Sequence, residues 1–106
     1  MKAKRTVGLL ALLVSTSAFL FAAEVIAADP RNGAKLYNIH CTNCHGSNGA
    51  GAMPGMPDFR RGQSLFENNA VLVQMLEKGR GIMPAYRGLL TTQEMLDVIS
   101  HLRTFQ

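Results

Sequence analysis

The stretch Cys41-Thr42-Asn43-Cys44-His45 determines how the rest of this chain is interpreted. Two cysteines separated by two residues, with a histidine directly after the second, can form thioether bonds to both vinyl groups of one haem while the imidazole binds its iron. Because three residues span roughly one helical turn, both sulfur atoms lie on one side of the chain. The motif predicts one covalently attached haem c, bound through Cys41 and Cys44, with His45 as an axial ligand of the iron.

A pair of cysteines with this spacing also occurs in dithiol redox sites and in zinc sites. A zinc site needs two more ligands, and since the chain has no third cysteine, only His40 and His101 remain. A thioredoxin-like site expects a strand before the motif and a βαβ unit around it, and the sequence indicates neither. Haem attachment is therefore the favoured interpretation.

The first 28 residues have the pattern of a secretory signal peptide. Three basic residues within positions 2–5 precede an apolar run over positions 7–23, and small residues lead up to Ala27 and Ala28. We expect cleavage after Ala27 or Ala28, which leaves residues 29–106 as one haem-binding domain in the periplasm. The alternative is an uncleaved anchor, because a run of this length approaches what a bilayer requires.

Removal of the signal peptide changes the net charge from +4 to about +2, because residues 29–106 keep eight Lys and Arg against six Asp and Glu. The two propionates of a haem would cancel most of the remainder, so a general attraction to nucleic acid is not predicted. A domain of roughly 80 residues is seldom stabilised by its apolar core alone. A covalent haem would supply the missing apolar centre.

A short helix is predicted to lead into the haem motif. Asp29 is a suitable N-cap and Pro30 suits the first helical position. Gly33 and Tyr37 then fall on one face, and the glycine permits a close approach by another helix. After the motif, residues 46–57 are rich in glycine and proline and are predicted to form a loop.

Two more helices are predicted in the second half of the chain. One is capped by Asn68 or Asn69 and stops at Gly79. The other begins with a capping box between Thr91 and Glu94 and continues with apolar residues at helical spacing to Phe105. No strand is predicted anywhere.

A second iron ligand is expected between these helices, in the stretch Gly79-Arg80-Gly81-Ile82-Met83-Pro84-Ala85-Tyr86. A glycine-containing loop outside a helix can project a thioether at the iron from the face opposite His45, which makes Met83 the candidate. Four other methionines follow the signal peptide. They are less suited, because two fall on helical stripes typical of core packing and two lie in the loop on the histidine side. They are Met75 and Met95 on the helices, and Met53 and Met56 in the loop.

Together these features resemble a class I cytochrome c of the short bacterial monohaem type, over essentially all of residues 29–106. The resemblance rests on the motif Cys41 to Gly46, on Gly33 and Tyr37 before it, on Gly81-Ile82-Met83-Pro84, and on the final amphipathic helix. It implies an all-α fold in which the first and last helices cross beside the haem. It also implies an iron held by His45 and Met83.

The resemblance has consequences for three further residues. In the family a proline carbonyl accepts the Nδ1 proton of the ligand histidine, and Pro57 stands at the matching position. Where the family usually has an aromatic residue in the last helix, this chain has His101, so the packing at the Gly33 crossing is expected to differ. His101 is also the alternative to Met83 as an iron ligand, whereas His40 is expected at the surface.

A histidine and a thioether fill both axial positions, which leaves no open site for a substrate and raises the reduction potential. The predicted function is that of an exported electron carrier rather than an enzyme, passing single electrons between redox proteins. Two alternatives stay open. One is a haem subunit of a larger periplasmic dehydrogenase or reductase, and the other is a sensor or peroxidase-like protein in which a small ligand displaces Met83.

Four arginines flank the predicted site. Arg60 and Arg61 close the loop after the motif, while Arg80 and Arg87 stand on either side of Met83. Such cations around an exposed haem edge predict transient docking of a monomer on acidic redox partners. The alternative is that some of these arginines pair with haem propionates or with neighbouring carboxylates.

Overall fold

The computed structural model describes Lys2 and residues 26–106. The predicted signal peptide, residues 1–28, therefore lies almost entirely outside the described residues, and its last three positions are exposed and non-helical. Within the described part, no helix is long and apolar enough to cross a bilayer.

The first helix, α1, spans Pro30–His40 and begins where the sequence predicts. The Asp29 side chain caps it by accepting a hydrogen bond from the backbone N–H of Arg31 at 2.8 Å. Cys41 interrupts the helix, and a short helix, α2, follows at Thr42–His45. The chain thus passes from α1 directly into the two cysteines and the histidine of the motif.

The third helix, α3, spans Asn69–Lys78. Its N-cap is Asn68, whose side chain accepts a hydrogen bond from the backbone N–H of Val71 at 3.0 Å, and it ends at Gly79. Both boundaries agree with the sequence prediction.

The last helix, α4, spans Thr92–Leu102 and starts with the predicted capping box between Thr91 and Glu94. A 3₁₀ turn, Arg103–Phe105, follows it, so the α-helix ends three residues before the predicted end. A second 3₁₀ turn at Phe59–Arg61 was not predicted from the sequence. Residues 26–106 contain no strand, only two isolated bridges, and the predicted all-α class is confirmed.

The helices α1 and α4 cross at Gly33. A Cβ atom at this position would overlap the backbone carbonyl of Asp97, so the two backbones are in direct contact. The buried Asp97 carboxylate accepts hydrogen bonds from Asp29 N–H, Asn32 Nδ2 and Gln93 Nε2 at 2.8, 2.8 and 3.0 Å. Burial alone would raise the pKa of Asp97, but these donors hold it below the ordinary value.

Two apolar clusters share α4 and form the core. The first contains Leu72, Leu76, Tyr86, Leu90, Met95 and Ile99, and the second contains Tyr37, Phe59, Leu65, Val98 and Leu102. Most members of both clusters line one cavity. The protein part of the core is therefore incomplete at its centre.

Candidate haem site

The cavity between the two clusters has a volume of about 610 Å³. This lies within the range of about 300–1,000 Å³ typical of small-molecule and cofactor sites. Its wall includes Cys41, Cys44, His45 and Met83, although Met83 is distant from the motif in sequence. The fold thus brings all four predicted site residues to one mostly apolar cavity.

Cys41 and Cys44 are free, partly buried thiols in the wall of this cavity. Burial, and secondly the neighbouring Cys44, raise the pKa of the Cys41 thiol to about 11. A reactive dithiol site has the opposite property, a lowered thiol pKa. Among residues 26–106, moreover, no three His, Cys, Asp or Glu side chains form a group that could hold a metal ion. The motif therefore has the surroundings of neither a dithiol nor a zinc site.

His45 ends α2, and its ring stacks on Phe59 with a centroid distance of 4.9 Å and an interplanar angle of 29°. Burial lowers its pKa below the ordinary value, which favours the neutral imidazole that binds metals. The Nδ1 atom is buried and has no hydrogen-bond partner. The expected bond to the carbonyl of Pro57 is therefore not formed, and stacking on Phe59 sets the ring plane, although Pro57 lines the same cavity.

A tight turn after α3 positions Met83. The backbone N–H of Arg80 donates to the Met83 carbonyl at 3.1 Å, and the N–H of Met83 donates back to the Arg80 carbonyl at 3.0 Å. Gly79 has φ +70°, and a Cβ there would lie 2.8 Å from the backbone nitrogen of Ala85 and closer still to the Met83 carbonyl. Only glycine permits this packing of the turn against the end of α3.

Two other methionines reach the cavity wall, Met56 and Met75. Met75 was predicted to pack in the core, and it does contact the first apolar cluster while also lining the cavity. Met95 is buried away from the cavity, and Met53 is exposed and does not line it. The candidate ligand Met83 thus has two rivals at the cavity.

His101 does not line the cavity. Its ring packs edge-on against Tyr37 and Phe105 at centroid distances of 5.3 and 4.8 Å, as an aromatic residue would at this position. The alternative of His101 as an iron ligand finds no support in this geometry. His40, expected at the surface, is instead partly buried in the cavity wall, edge-on to Tyr86 at 5.9 Å.

Two tyrosines connect the walls of the cavity. The hydroxyl of the fully buried Tyr37 donates to the Gly46 carbonyl at 2.6 Å, and that of Tyr86 donates to the His40 carbonyl at 3.0 Å. Burial raises the pKa of Tyr37 to about 12, so its hydroxyl stays a donor. Sequence reasoning did not assign a role to Tyr86, and its position three residues after Met83 was the available signal.

The residues at this cavity fit a covalently attached haem. The two thiols stand next to each other on the wall, and the donor set combines a neutral imidazole with a thioether. The buried Nδ1 of His45 has no hydrogen-bond partner, whereas a metal-ligating histidine ordinarily donates this proton to an acceptor.

Comparison with known proteins gives the same result. The family model described as cytochrome c oxidase, cbb3-type, subunit III, matches residues 28–102. Among the similar proteins is a cytochrome c6 of Nostoc sp., 26% identical over 92% of this chain and 90% of the relative. A cytochrome c6 of Thermosynechococcus vestitus is 30% identical over 87% of this chain and 80% of the relative. That of Leptolyngbya boryana is 31% identical over 67% of this chain and 86% of the relative.

The match to the family model starts one residue before Asp29 and ends at the last residue of α4. It therefore includes the cysteine motif, the Met83 turn and the two crossing helices. The chain belongs to this cytochrome family, and it is a small monohaem class I c-type cytochrome with one haem c attached through Cys41 and Cys44.

Proposed function

We propose that this cytochrome is an exported one-electron carrier whose iron is ligated by His45 and Met83. The observation that carries the proposal is that one mostly apolar cavity has both the CxxCH motif and the Met83 turn in its wall. The bound haem supplies reversible one-electron exchange at its iron. The chain attaches the haem, orients it between His45 and Met83, and surrounds it with apolar side chains.

The ligand pair favours a carrier over an enzyme or a sensor. The imidazole of His45 and the thioether of Met83 would together hold the iron, and such a ligand pair would leave no position for a substrate. The turn that holds Met83 is closed by two backbone hydrogen bonds and packed against Gly79, so the thioether is held by the fold rather than by a flexible loop. A sensor would need this residue to be displaced easily.

The carrier works in the periplasm, and residues 1–28 are removed on export. The basic start, the apolar run and the small residues at Ala27 and Ala28 support this. The segment from Ile26 to Ala28 is exposed and irregular, so a signal peptidase can reach the bond that it cleaves. Mass measurement of the purified protein tests the assignment: a chain that begins at residue 28 or 29 is expected, and one that retains residue 1 contradicts it.

Its partners are redox proteins that dock transiently on a monomer, with acidic groups facing the cations near the cavity. The structure reduces this set of cations, because Arg60 pairs with Asp58 at 2.9 Å and Arg87 pairs with Glu77 at 3.2 Å. Ile82 adds an apolar contact surface, since it is 75% exposed at the cavity wall. Association rates that do not change with salt concentration would contradict steering by charge.

Absorption spectra of the oxidised and reduced protein, purified from a host that matures c-type haem, test the proposed site. We expect covalently bound, low-spin haem with the weak far-red band of a methionine-ligated ferric iron. Covalent haem without that band would contradict Met83 as the ligand, and absence of haem would contradict the whole proposal. Size exclusion of a native extract separates a free carrier from the alternative of a subunit in a larger redox enzyme.

A further inference from the structure

The cavity wall contains one side chain with a permanent charge. Among the lining residues there is no Asp, Glu or Lys, and Arg80 is the single arginine. The two lining histidines have other surroundings, because His45 stacks on Phe59 and His40 packs edge-on against Tyr86. Arg80 is therefore the cation in the cavity wall that an anionic group would bind.

Arg80 also differs from Arg60 and Arg87 in having no partner, and from the equally unpaired Arg61 in lining the cavity. Arg60 and Arg87 form the ion pairs with Asp58 and Glu77. Within residues 26–106, the guanidinium of Arg80 makes neither an ion pair nor a hydrogen bond, and only its backbone is bonded, to Met83. The Arg80 side chain is exposed, so its charge is available at the wall of this mostly apolar cavity.

A haem carries two carboxylates as well as its apolar ring. A carboxylate placed against an apolar wall is unfavourable unless a cation or several donors compensate it. A guanidinium can bind a carboxylate through two parallel N–H···O bonds, which makes arginine the most suitable side chain for this purpose. We propose that Arg80 binds a haem propionate; this inference rests on the haem site proposed above.

The backbone connects this role to that of Met83. The reciprocal hydrogen bonds between Arg80 and Met83 join the two residues across one turn. A single turn then supplies both the sulfur ligand and the partner of the propionate. A cation held next to the haem also favours the ferrous state, which has one positive charge fewer, and so raises the midpoint potential.

The test compares Arg80→Gln with Arg87→Gln in the haem-loaded protein. Both changes remove one arginine from the segment around Met83, but Arg87 is paired with Glu77 and does not line the cavity. The midpoint potential of each is measured by spectroelectrochemistry at 0.01 M and 1 M salt, where the Debye length is about 30 and 3 Å. A direct contact keeps part of its effect at high salt even for the exposed side chain of Arg80, whereas charge effects over longer distances are screened.

We expect Arg80→Gln to lower the midpoint potential at both salt concentrations, and Arg80→Lys to restore part of the loss. Arg87→Gln should have little effect at 1 M salt. Equal shifts in the two variants, or a shift in Arg80→Gln that disappears at 1 M, would overturn the inference. Failure of the proposed haem site itself is recognised separately, because the unmodified protein would then lack the covalent haem or the far-red band.

Discussion

At the scale of single residues, the backbone around Met83 distinguishes the proposed sulfur ligand from the other methionines at the cavity. Thioether side chains at three positions line the cavity, so chemistry alone does not select among them. Met83 differs because a turn with two backbone hydrogen bonds holds it, next to a glycine that no other residue can replace without overlap. Met56 lies in a loop and Met75 on a helix that it helps to pack.

Replacing each of these methionines by leucine tests the assignment. Met83→Leu should keep covalent haem but lose the far-red band, lower the midpoint potential and allow carbon monoxide to bind the ferrous iron, because one axial position is vacated. Met56→Leu and Met75→Leu conserve side-chain volume in the same cavity and should leave the band unchanged. Loss of the band in either control, with retention in Met83→Leu, would assign the ligand elsewhere.

A second prediction at this scale concerns His101. Its burial against Tyr37 and Phe105 holds the pKa of the imidazole below its ordinary value of 6.5. The folded state then binds fewer protons than the unfolded state, so this stabilisation is present above about pH 6.5 and is lost as the pH falls through the folded-state pKa. When the pH is lowered from 7 to 5, the free energy of unfolding measured with urea should fall less for His101→Phe than for the unmodified holoprotein. Parallel losses in the two proteins would show that His101 does not contribute.

At the scale of elements, the crossing of α1 and α4 positions the haem motif, because the motif directly follows α1. The two backbones touch at Gly33, and the buried Asp97 carboxylate ties the start of α1 to α4 through two hydrogen bonds, from Asp29 N–H and Asn32 Nδ2. The aromatic place in this crossing is filled by His101, which packs edge-on against Tyr37. The two helices therefore touch at Gly33 although His101 replaces the aromatic residue of the family pattern.

Gly33→Ala tests the crossing because two effects change the free energy of unfolding in opposite directions. Helix propensity alone would favour alanine by about 1 kcal/mol. The overlap of its Cβ with the Asp97 carbonyl should dominate and lower the free energy of unfolding by about 1–3 kcal/mol. Denaturation of the holoprotein measures the change, with the exposed Lys35→Ala in the same helix as the control. A more stable Gly33→Ala variant would show that the helices can separate without cost.

At the scale of the whole molecule, the two apolar clusters enclose a cavity instead of meeting each other. A cavity of about 610 Å³ leaves the apolar side chains of its wall without contacts on one side. This loss matters in a small domain, whose entire stability is only about 5–15 kcal/mol. The cofactor is thus a structural part of the core as well as its redox centre.

The chain without haem should therefore be largely unfolded. Cys41→Ala with Cys44→Ala removes both thioether bonds, and circular dichroism of this protein should show reduced helix content and no cooperative thermal transition. The holoprotein provides the reference. A cooperative melt of the haem-free chain near the holoprotein value would mean that the protein core is sufficient by itself.

The sequence alone determined the local features of this protein. The cysteine motif, the caps at Asp29, Asn68 and Thr91, and the stop at Gly79 were all recognised, because each depends on residues within about one helical turn. The fold class followed from the same signals. The end of α4 was placed too late, since the apolar spacing continues through the 3₁₀ turn to Phe105.

Only the tertiary structure decided which distant groups meet. It paired Arg60 and Arg87 with carboxylates, left Arg80 alone in the cavity wall, and buried Asp97 at the helix crossing. It also placed His101 outside the cavity wall, and the Nδ1 of His45 makes no hydrogen bond to the Pro57 carbonyl. Such contacts join residues from separate elements, and local periodicity carries no information about them because they depend on how the helices pack around the cavity.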